Sequence, residues 1–593
     1  MSFLKSKTIY YFKKAKKALS SFAVLKFGRN HDDQTKLDKK LVYSLSPKKI
    51  PDGKQLKHFN KFLSRKESSF IKIALIIFFL GVVFLGYSFL EKNVSRAPRN
   101  GGTYSEGLVG YPKNINPLYS SSRSVDSDIA SLIYSSLFDY NKEGILVNDL
   151  VDYYEVNEDG KEYYIKIIEG VKWHDEGFLS ADDVVFTFNL IKDESYRSPL
   201  RQNFVNAEVE KIDDHTIKFI LSEPYAPFIS LLTFGIMPKD LWVNSNPDSI
   251  VLSEFNLKPI GSGPFKFRSI VKTKTGEIRE MNLEANEDYY KKRPYLNNIK
   301  FVFFPDKQEA IRALNDKRIL GISNLPFSLR DNILAKNSLY YRELVQPHTI
   351  SIFFNDKNNE NLDDIDYRKN LSIAIDKDKI INDIFSGSYK VANSTFLPLE
   401  GYSSLGNVNS NYNFEQAESF FKEKEFEITL TAVDTGSNYF VAKAIEDVWS
   451  SVGVKVNVNM VSGEQIIDII RERDFEALLY GQAIGGDPDV YSFWHSSQIG
   501  NGLNLAGYNN GKVDQLLSDA RKEVGYDKRQ SMYVEIEEII IEDYPAVFLY
   551  HPSYTYLQSR DLRGFSGQVI ISQSDRFEDV ISWYLKTRFT INR

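Results

Sequence analysis

An uninterrupted apolar run near the N-terminus, residues 71–90, constrains this chain more than any other feature. A helix needs roughly 20 predominantly apolar residues to cross the hydrocarbon core of a bilayer, and it satisfies its backbone polar groups internally. Lys72 is the only charge in the run and lies close enough to its end to reach the interface. Because apolar residues cover every face of such a helix, the run indicates a membrane anchor over residues 70–90 and not a buried core helix.

The charges that flank the run predict its orientation. Lysine and arginine crowd the preceding segment, where acids are few. The positive-inside rule therefore places the N-terminus in the cytoplasm and everything after Leu90 outside. The run exceeds the ~7–15 apolar residues of a secretory signal peptide, and residues 95–100 (SRAPRN) offer no small-x-small cleavage site. We expect an uncleaved, single-pass anchor in the cell membrane, followed by a spacer over 91–100.

The cytoplasmic segment, residues 1–69, is basic and largely without a folding pattern. Two interpretations of its first 30 residues stay open, an amphipathic helix on an anionic leaflet and a solvated basic tail. From His31 to Ser69 the composition is polar, with Pro47, Pro51 and Gly53, which predicts a disordered linker. No nucleic-acid-binding motif accompanies the charge, so we expect no nucleic-acid partner.

Composition excludes several kinds of chemistry. The chain has 593 residues, a net charge of -5 and no cysteine, which rules out disulfides, thiolate metal sites and a cysteine nucleophile. It has no Gly-x-Ser-x-Gly or His-Glu-x-x-His motif and no phosphate-binding loop. The spacing of His348, His495 and His551 is not that of metal ligands. We therefore expect no enzyme activity, no metal and no cofactor.

Local patterns predict the elements that follow the spacer. Gly101 and Gly102 lead into a strand that ends in a loop at Asn116 and Pro117. Apolar spacing predicts a helix over 127–138, and residues 153–156 and 162–168 flank a hairpin turn. Ser180 and Asp183 have the spacing of a capping box that begins the next helix. His174, beside an acid, is expected to be a hydrogen-bonded structural residue.

Several of these segments together resemble one protein family. The stretches are GGTYSEG and INPLYSSS, then SSLFDYNKEGILVNDL running on to GVKWHDEGFLSADDVVFTF, and further along PIGSGPFKF, IDYRKNLSIAIDKDKI and GGDPDVYSFWHS. In this order they resemble the extracytoplasmic solute-binding proteins of the peptide/nickel ABC-transporter family, the oligopeptide- and dipeptide-binding type. The resemblance covers most of the exported chain.

This resemblance implies an α/β fold with two lobes, periplasmic-binding-protein-like, of class II, in the large cluster with an extra subdomain. Residues 101–345 would form the first lobe with its inserted subdomain, 346–552 the second lobe, and 553–593 the C-terminal return to the first. The chain would cross between lobes twice, and those crossings would act as a hinge. A single transmembrane helix would precede this fold.

The resemblance also implies where a ligand would lie. Ser121, Ser122 and Arg123 of the first lobe would face a second-lobe strand at Tyr480, Gly481 and Gln482, whose backbone would pair with a peptide as an added strand. Other candidate contacts follow that strand: Ile484, Asp487 and Trp494.

Ile484 departs from the family pattern. In peptide-binding members an acid four residues before the loop proline holds the ligand's ammonium group, and Pro488 places that position at Ile484. Asp487 is a nearby substitute in principle, although Asp-Pro commonly initiates turns. Trp494 can pack in a core or form a stacking platform for a ligand, and we favour core packing of a helix.

Two functions remain open from the sequence. The first is a membrane-anchored receptor that captures a ligand, most readily a peptide, and delivers it to an ABC permease served by separate ATPase subunits. The second is an envelope sensor or chaperone-like receptor on the same fold that binds a non-peptide solute. Ligand identity is not fixed, because fold alone does not determine function.

Overall fold

The computed structural model describes residues 65–396, 412–500 and 502–591 of the chain. It divides into two compact units, Met1–Arg96 with Phe589–Arg593, and Ala97–Arg588. The predictions for residues 1–64 concern a segment outside the described residues.

A helix of 29 residues, Arg65–Asn93, occupies the described part of the first unit. Its apolar side chains are exposed, with Phe70 at 73%, Phe79 at 69% and Phe84 at 68%. Within the described part of the chain, no helix combines the length and the apolar character needed to cross a membrane.

The second unit contains two large sheets. The first has seven strands in the order Leu339–Val345, Ser553–Ser559, Gly321–Ser323, Thr103–Val109, Asn298–Phe304, Ile278–Ala285 and Phe265–Lys272. The second has six strands in the order Lys390–Val391, Ala546–His551, His348–Phe354, Ala477–Ala483, Glu427–Val433 and Lys455–Val461. Both sheets mix parallel and antiparallel pairs.

Smaller sheets are inserted after Thr103–Val109, which is the first strand of the seven-stranded sheet along the chain. Four antiparallel strands lie in the order Val151–Val156, Glu162–Ile167, Thr216–Leu221 and Ala207–Lys211. Phe138–Tyr140 pairs with Leu146–Asn148. The buried faces of this region have their own apolar core, in which Phe188, Phe204 and Phe219 meet edge to face. The strands Val94–Arg99 and Lys586–Ile591 form a two-stranded sheet.

Helices pack on these sheets along the whole of the second unit. Helices of at least eight residues are Ser124–Ile133, Ala181–Lys192, Lys307–Asn315, Ile365–Ile373, Lys377–Phe385, Phe414–Phe421, Gly436–Ser451, Gln465–Glu472, Gly511–Ala520 and Tyr526–Asp543. Helices of four residues are Phe228–Leu231, Lys239–Trp242 and Tyr491–Trp494.

Local sequence signals were mostly sufficient for these elements. The strand after Gly102, the hairpin and the capping box are confirmed, and the Ser180 backbone N–H donates to the Asp183 carboxylate at 2.9 Å. The helix predicted over 127–138 is wrong at its end. It runs over Ser124–Ile133, and Phe138 begins a strand that pairs with Leu146–Asn148. A strand partner distant from the periodic window therefore decided the conformation of that end.

The chain passes directly from one large sheet to the other at two places. Leu339–Val345 in the seven-stranded sheet is followed by His348–Phe354 in the six-stranded sheet. Ala546–His551 in the six-stranded sheet is followed by Ser553–Ser559 in the seven-stranded sheet. Each passage is short, so the two sheets are joined by adjacent connections.

A buried ion cluster ties the C-terminal segment to the seven-stranded sheet. The fully buried guanidinium of Arg576 donates to Glu106 at 2.8 Å and to Asp128 at 2.5 Å. Tyr104 and Tyr556 also donate to Glu106, at 3.0 and 2.6 Å. Four segments of the chain thus share one set of buried hydrogen bonds, in which each charge depends on the others.

Replacing Arg576 with methionine is expected to lower the free energy of unfolding by about 3–5 kcal/mol, because Glu106 and Asp128 stay buried without their counter-charge. Urea unfolding of the detergent-solubilised chain, followed by fluorescence of its buried tryptophans, measures the loss. Arg563, which is exposed, provides the matched control, and Arg563→Met should change stability by less than about 0.5 kcal/mol. Equal effects of the two substitutions would contradict the assigned role.

Candidate functional site

The strand Ala477–Ala483 has an unpaired backbone edge at its C-terminal half. On one side, its full length pairs with His348–Phe354, and Gly481 lies opposite Ile350. On the other side, the parallel partner Glu427–Val433 pairs only as far as Leu479. No strand among the described residues pairs with 480–483 on that second side. The backbone groups of Tyr480, Gly481 and Gln482 along this edge are therefore placed to accept an added strand.

Gly481 is required at this edge because of its neighbour on the adjoining strand. A β-carbon at Gly481 would lie 2.2 Å from Nε2 of His348. The imidazole thus covers one face of the glycine, and any side chain there would displace it. Burial lowers the pKa of His348, which favours the neutral form of the ring.

The predicted first-lobe loop is held by side chains that precede and follow it. Ser120–Ser122 forms one turn of 3₁₀ helix, and Arg123 is extended before the helix Ser124–Ile133. Asp126 in that helix accepts backbone hydrogen bonds from Lys113 and Asn114 at 2.7 and 3.1 Å. Arg123 donates to the Tyr111 carbonyl at 3.1 Å. The serine loop is therefore a fixed structure between two anchored segments.

The loop that follows Ile484, beside the six-stranded sheet, contacts the region inserted after the strand Thr103–Val109. A β-carbon at Gly486 would lie 2.0 Å from the ring and hydroxyl of Tyr140, which is 6% exposed. A second contact lies nearby, where the Ala226 N–H donates to the Arg521 carbonyl at 2.7 Å. The absence of a side chain at Gly486 is thus what lets the loop approach Tyr140.

Two ion pairs fix this loop. Asp487 binds Arg529 through both carboxylate oxygens, at 2.5 and 2.7 Å. Asp489 binds Arg521 at 2.8 Å, and the Arg521 guanidinium lies 3.8 Å from the centre of the Tyr491 ring. Burial raises the pKa of Asp487, while the hydrogen bonds from Arg529 oppose that rise. The structure thus commits the Asp487 carboxylate to ordering the loop.

Packing accounts for the other predicted residues of the second half. Ile484 is 6% exposed and lies in an apolar cluster with Trp494. Trp494 is fully buried against Phe353 and Phe548, and its indole N–H donates to Thr395 at 3.1 Å. Neither side chain offers a polar group to a ligand in this arrangement. Gln482 is 3% exposed, and both atoms of its side-chain amide lack a partner among the described residues.

The histidines that drew attention in the sequence are structural. The His174 ring accepts the Gly261 N–H at 3.2 Å and lies 3.1 Å from the Gly263 carbonyl, as expected for a hydrogen-bonded residue. Burial lowers the pKa of His174 to about 4, and that of His551 also to about 4. Among the described residues, no group of three or more histidine or acidic side chains is placed to hold a metal ion.

Of the residues around Tyr140, sequence reasoning named Ser121 and missed Asp139 and Glu578. A cavity of about 450 Å³ lies beside this tyrosine and is lined by Ser121, Asp139 and Glu578 among others. Its walls come from segments more than 400 positions apart along the chain. The spacing of residues within one segment cannot predict an assembly of distant segments. The sequence indicated only the turns around each segment.

The chain is similar in sequence to a known family of proteins. A family model described as bacterial extracellular solute-binding proteins, family 5 Middle, matches residues 146–503. The chain belongs to this family. The resemblance to the peptide/nickel solute-binding proteins is thereby confirmed, and the relatives are solute-binding proteins and not enzymes.

Relatives cover most of the chain outside its N-terminal segment. The oligopeptide-binding protein AppA of Bacillus subtilis is 29% identical, over 80% of this chain and 90% of that protein. The structure of AppA in complex with a nonapeptide superposes with a TM-score of 0.61 and 28% identity, over 83% of this chain and 100% of that one. The substrate-binding protein CtaP of Listeria monocytogenes gives a TM-score of 0.70 and 27% identity, over 82% and 100%. The two-lobed α/β fold is confirmed.

Gly486→Ala is expected to separate the loop from Tyr140, since the new β-carbon cannot occupy a position 2.0 Å from a buried ring. Overpacking of this kind costs about 1–3 kcal/mol, which we expect to shift the lobes toward a more open arrangement. Small-angle X-ray scattering should show a larger radius of gyration. The neighbouring Gly485→Ala is the control, because a β-carbon there would meet nothing within 4 Å. Unchanged scattering for Gly486→Ala would show that the contact does not hold the lobes.

Proposed function

We propose that this solute-binding protein captures peptides between its two lobes and delivers them to an ABC permease whose ATPase subunits are separate chains. The observation that carries the proposal is the unpaired edge at 480–483 in the second half. An extended peptide placed there would gain main-chain hydrogen bonds that do not depend on its sequence. The known relatives named as peptide-binding proteins support the same ligand class.

The lobes proposed are those of the sequence analysis, 101–345 with the return over 553–593, and 346–552. The seven-stranded sheet falls in the first and the six-stranded sheet in the second. The inserted four-stranded sheet would be the extra subdomain of the class II large cluster. The two short passages between the sheets would form the hinge, because adjacent connections allow rotation while each sheet stays rigid.

Ser121, Ser122 and Arg123 are proposed as the facing wall of the peptide groove. The fixed loop offers hydroxyl and backbone groups, and the Arg123 side chain is partly exposed. Closure of the lobes would then remove water from the peptide backbone on both sides. Affinity would come from backbone pairing, and water-filled side pockets would tolerate different side chains.

Peptides of three to five residues should raise the thermal unfolding midpoint of the detergent-solubilised full chain. A ligand at a hundredfold excess over its Kd stabilises the folded state by about 2.7 kcal/mol, which raises the unfolding midpoint. Oligosaccharides of similar size are the control and should leave the midpoint unchanged. Stabilisation by another solute class, with none by peptides, would instead favour the sensor or non-peptide receptor.

The anchor is proposed from the apolar run at 71–90 and from the exposed apolar side chains of the helix Arg65–Asn93. A single helix would tether the receptor and raise its effective concentration at the permease.

If the run spans the bilayer, the chain should stay in the membrane fraction after an alkaline carbonate wash. Inserting two lysines near Gly81 should release it, because each charge at the centre of a spanning helix costs about 2.5–3.5 kcal/mol. Two lysines inserted into the spacer after Glu91 provide the control. Release of the unaltered chain by carbonate would contradict the anchor.

A further inference from the structure

One end of the inserted four-stranded sheet is covered by another part of the chain. The hairpin turn over 157–161 and the segment that follows the strand Thr216–Leu221 lie at this same end, because Glu162 pairs with Ile220. Gly160, at the tip of the turn, is buried. Connecting segments ordinarily run over the protein surface, so a buried turn tip indicates a contact with another element.

The covering element belongs to the second lobe. It is the connection over 521–525 between the helices Gly511–Ala520 and Tyr526–Asp543. A β-carbon at Gly160 would lie 3.3 Å from Cγ1 of Val524 in this connection. Ala226, after the last strand of the inserted sheet along the chain, donates its N–H to the carbonyl of Arg521 at 2.7 Å. The inserted sheet and the second lobe are thus joined by packing and by a backbone hydrogen bond.

The side chain of Arg521 links an aromatic ring of each lobe. Its guanidinium lies 3.8 Å from the centre of the Tyr491 ring and 5.7 Å from the centre of the Tyr225 ring. A guanidinium is attracted to the faces of aromatic rings, and its planar shape suits stacking on them. Asp489 binds the same guanidinium at 2.8 Å, which fixes its orientation. Tyr225 of the inserted region therefore meets a cation that the second lobe already holds in place.

The first-lobe side of this contact is rigid before it meets Arg521. Pro224 and Pro227 flank Tyr225 and Ala226, and each proline fixes its own backbone φ angle. The Tyr163 hydroxyl also donates to the Tyr225 carbonyl at 3.1 Å. Little conformational entropy is therefore lost when the segment docks on the second lobe.

Contacts beside the passages between the large sheets are of a different kind. Arg330 donates to Ser388 of the second lobe at 2.6 Å and to Thr555 at 2.8 Å, and Ser553 donates to the Ser388 carbonyl at 2.8 Å. Ser553 and Thr555 lie on the strand that begins at the second passage, where the covalent chain itself keeps the lobes together. Ala226 and Arg521 belong to no strand of either large sheet, so only their own contact joins them.

We infer that Arg521 is the positioning residue of a latch, formed with Tyr225, Ala226 and Tyr491, that holds the two lobes in the closed arrangement. The inference rests on the proposed capture of peptides between the lobes and adds a contact that regulates it. The latch includes no residue of the strand edge at 480–483 or of the serine loop. It therefore acts on peptide affinity only by stabilising the closed arrangement in which the peptide is held.

Double electron–electron resonance on the full chain in detergent, without peptide, tests the latch directly. The chain has no cysteine, so Glu158→Cys and Asp527→Cys, at two exposed positions, can carry one nitroxide label on each side of the latch. The chain with an intact latch should show one predominant distance. Tyr225→Leu, which keeps an apolar side chain but removes the ring that faces Arg521, should move the main population to a longer distance.

A second variant on the opposite lobe guards against a folding defect. Arg521→Lys keeps a charge for Asp489 but loses the planar group, so it should lengthen the distance in the same direction. Tyr153→Leu is the matched control, because Tyr153 is 53% exposed on the same inserted sheet, and it should leave the distance unchanged. A lower thermal unfolding midpoint for Tyr225→Leu and Arg521→Lys, with the distance unchanged in both, would overturn the latch.

Isothermal titration with tetra-alanine connects the latch to ligand capture. Tyr225→Leu should weaken binding by about threefold or more, because less of the protein occupies the closed arrangement, and Tyr153→Leu should bind as the unaltered chain does. Longer distances with an unchanged affinity would overturn the role of the latch in capture. A failure of the unaltered chain to bind any peptide would contradict the proposed function alone, since the distance measurement decides the latch without a ligand.

Discussion

The buried guanidinium of Arg576 is the interaction on which the first lobe depends. It joins the C-terminal segment to Glu106 on the strand Thr103–Val109 and to Asp128 on the helix Ser124–Ile133. The serine loop precedes that helix directly, and the cavity lies between the helix and the C-terminal segment. Loss of one partner would leave the other buried charges uncompensated, so the segments that Arg576 holds together also fix the wall of the cavity.

The second lobe contributes a different kind of order. Its Asp487 and Asp489 are held by Arg529 and Arg521, which fixes the loop after Ile484. That loop contacts the first lobe at Gly486, where the close approach to Tyr140 is possible only because glycine has no side chain. The ion pairs thus fix the shape of the loop, and Gly486 makes the contact with the first lobe. Because the ion pairs lie within the second lobe, the lobes could separate without breaking one.

Much of the fold could be predicted from local sequence. Gly101 and Gly102 predicted the first strand, and Ser180 with Asp183 predicted the start of a helix, because turns and helix caps depend on residues that are close in sequence. The site was less accessible. Arg576 pairs with residues 448 and 470 positions away, and Asp139 shares a cavity with Glu578. No periodicity reports such pairings. The role of Trp494 was equally hard to predict, because an indole can stack on a ligand or pack in a core. Its contacts with Phe353 and Phe548 show that it packs in the core.

Hydrogen–deuterium exchange of the full chain, with and without a bound tetrapeptide, tests peptide capture at the strand edge most directly. A peptide that pairs with the free edge would slow exchange of backbone amides at 480–483, and closure would also protect the serine loop at 120–123. Amides in the strand Lys455–Val461, at the far edge of the same sheet, should be unaffected. Protection confined to other segments, with 480–483 unchanged while peptide is bound, would contradict the account.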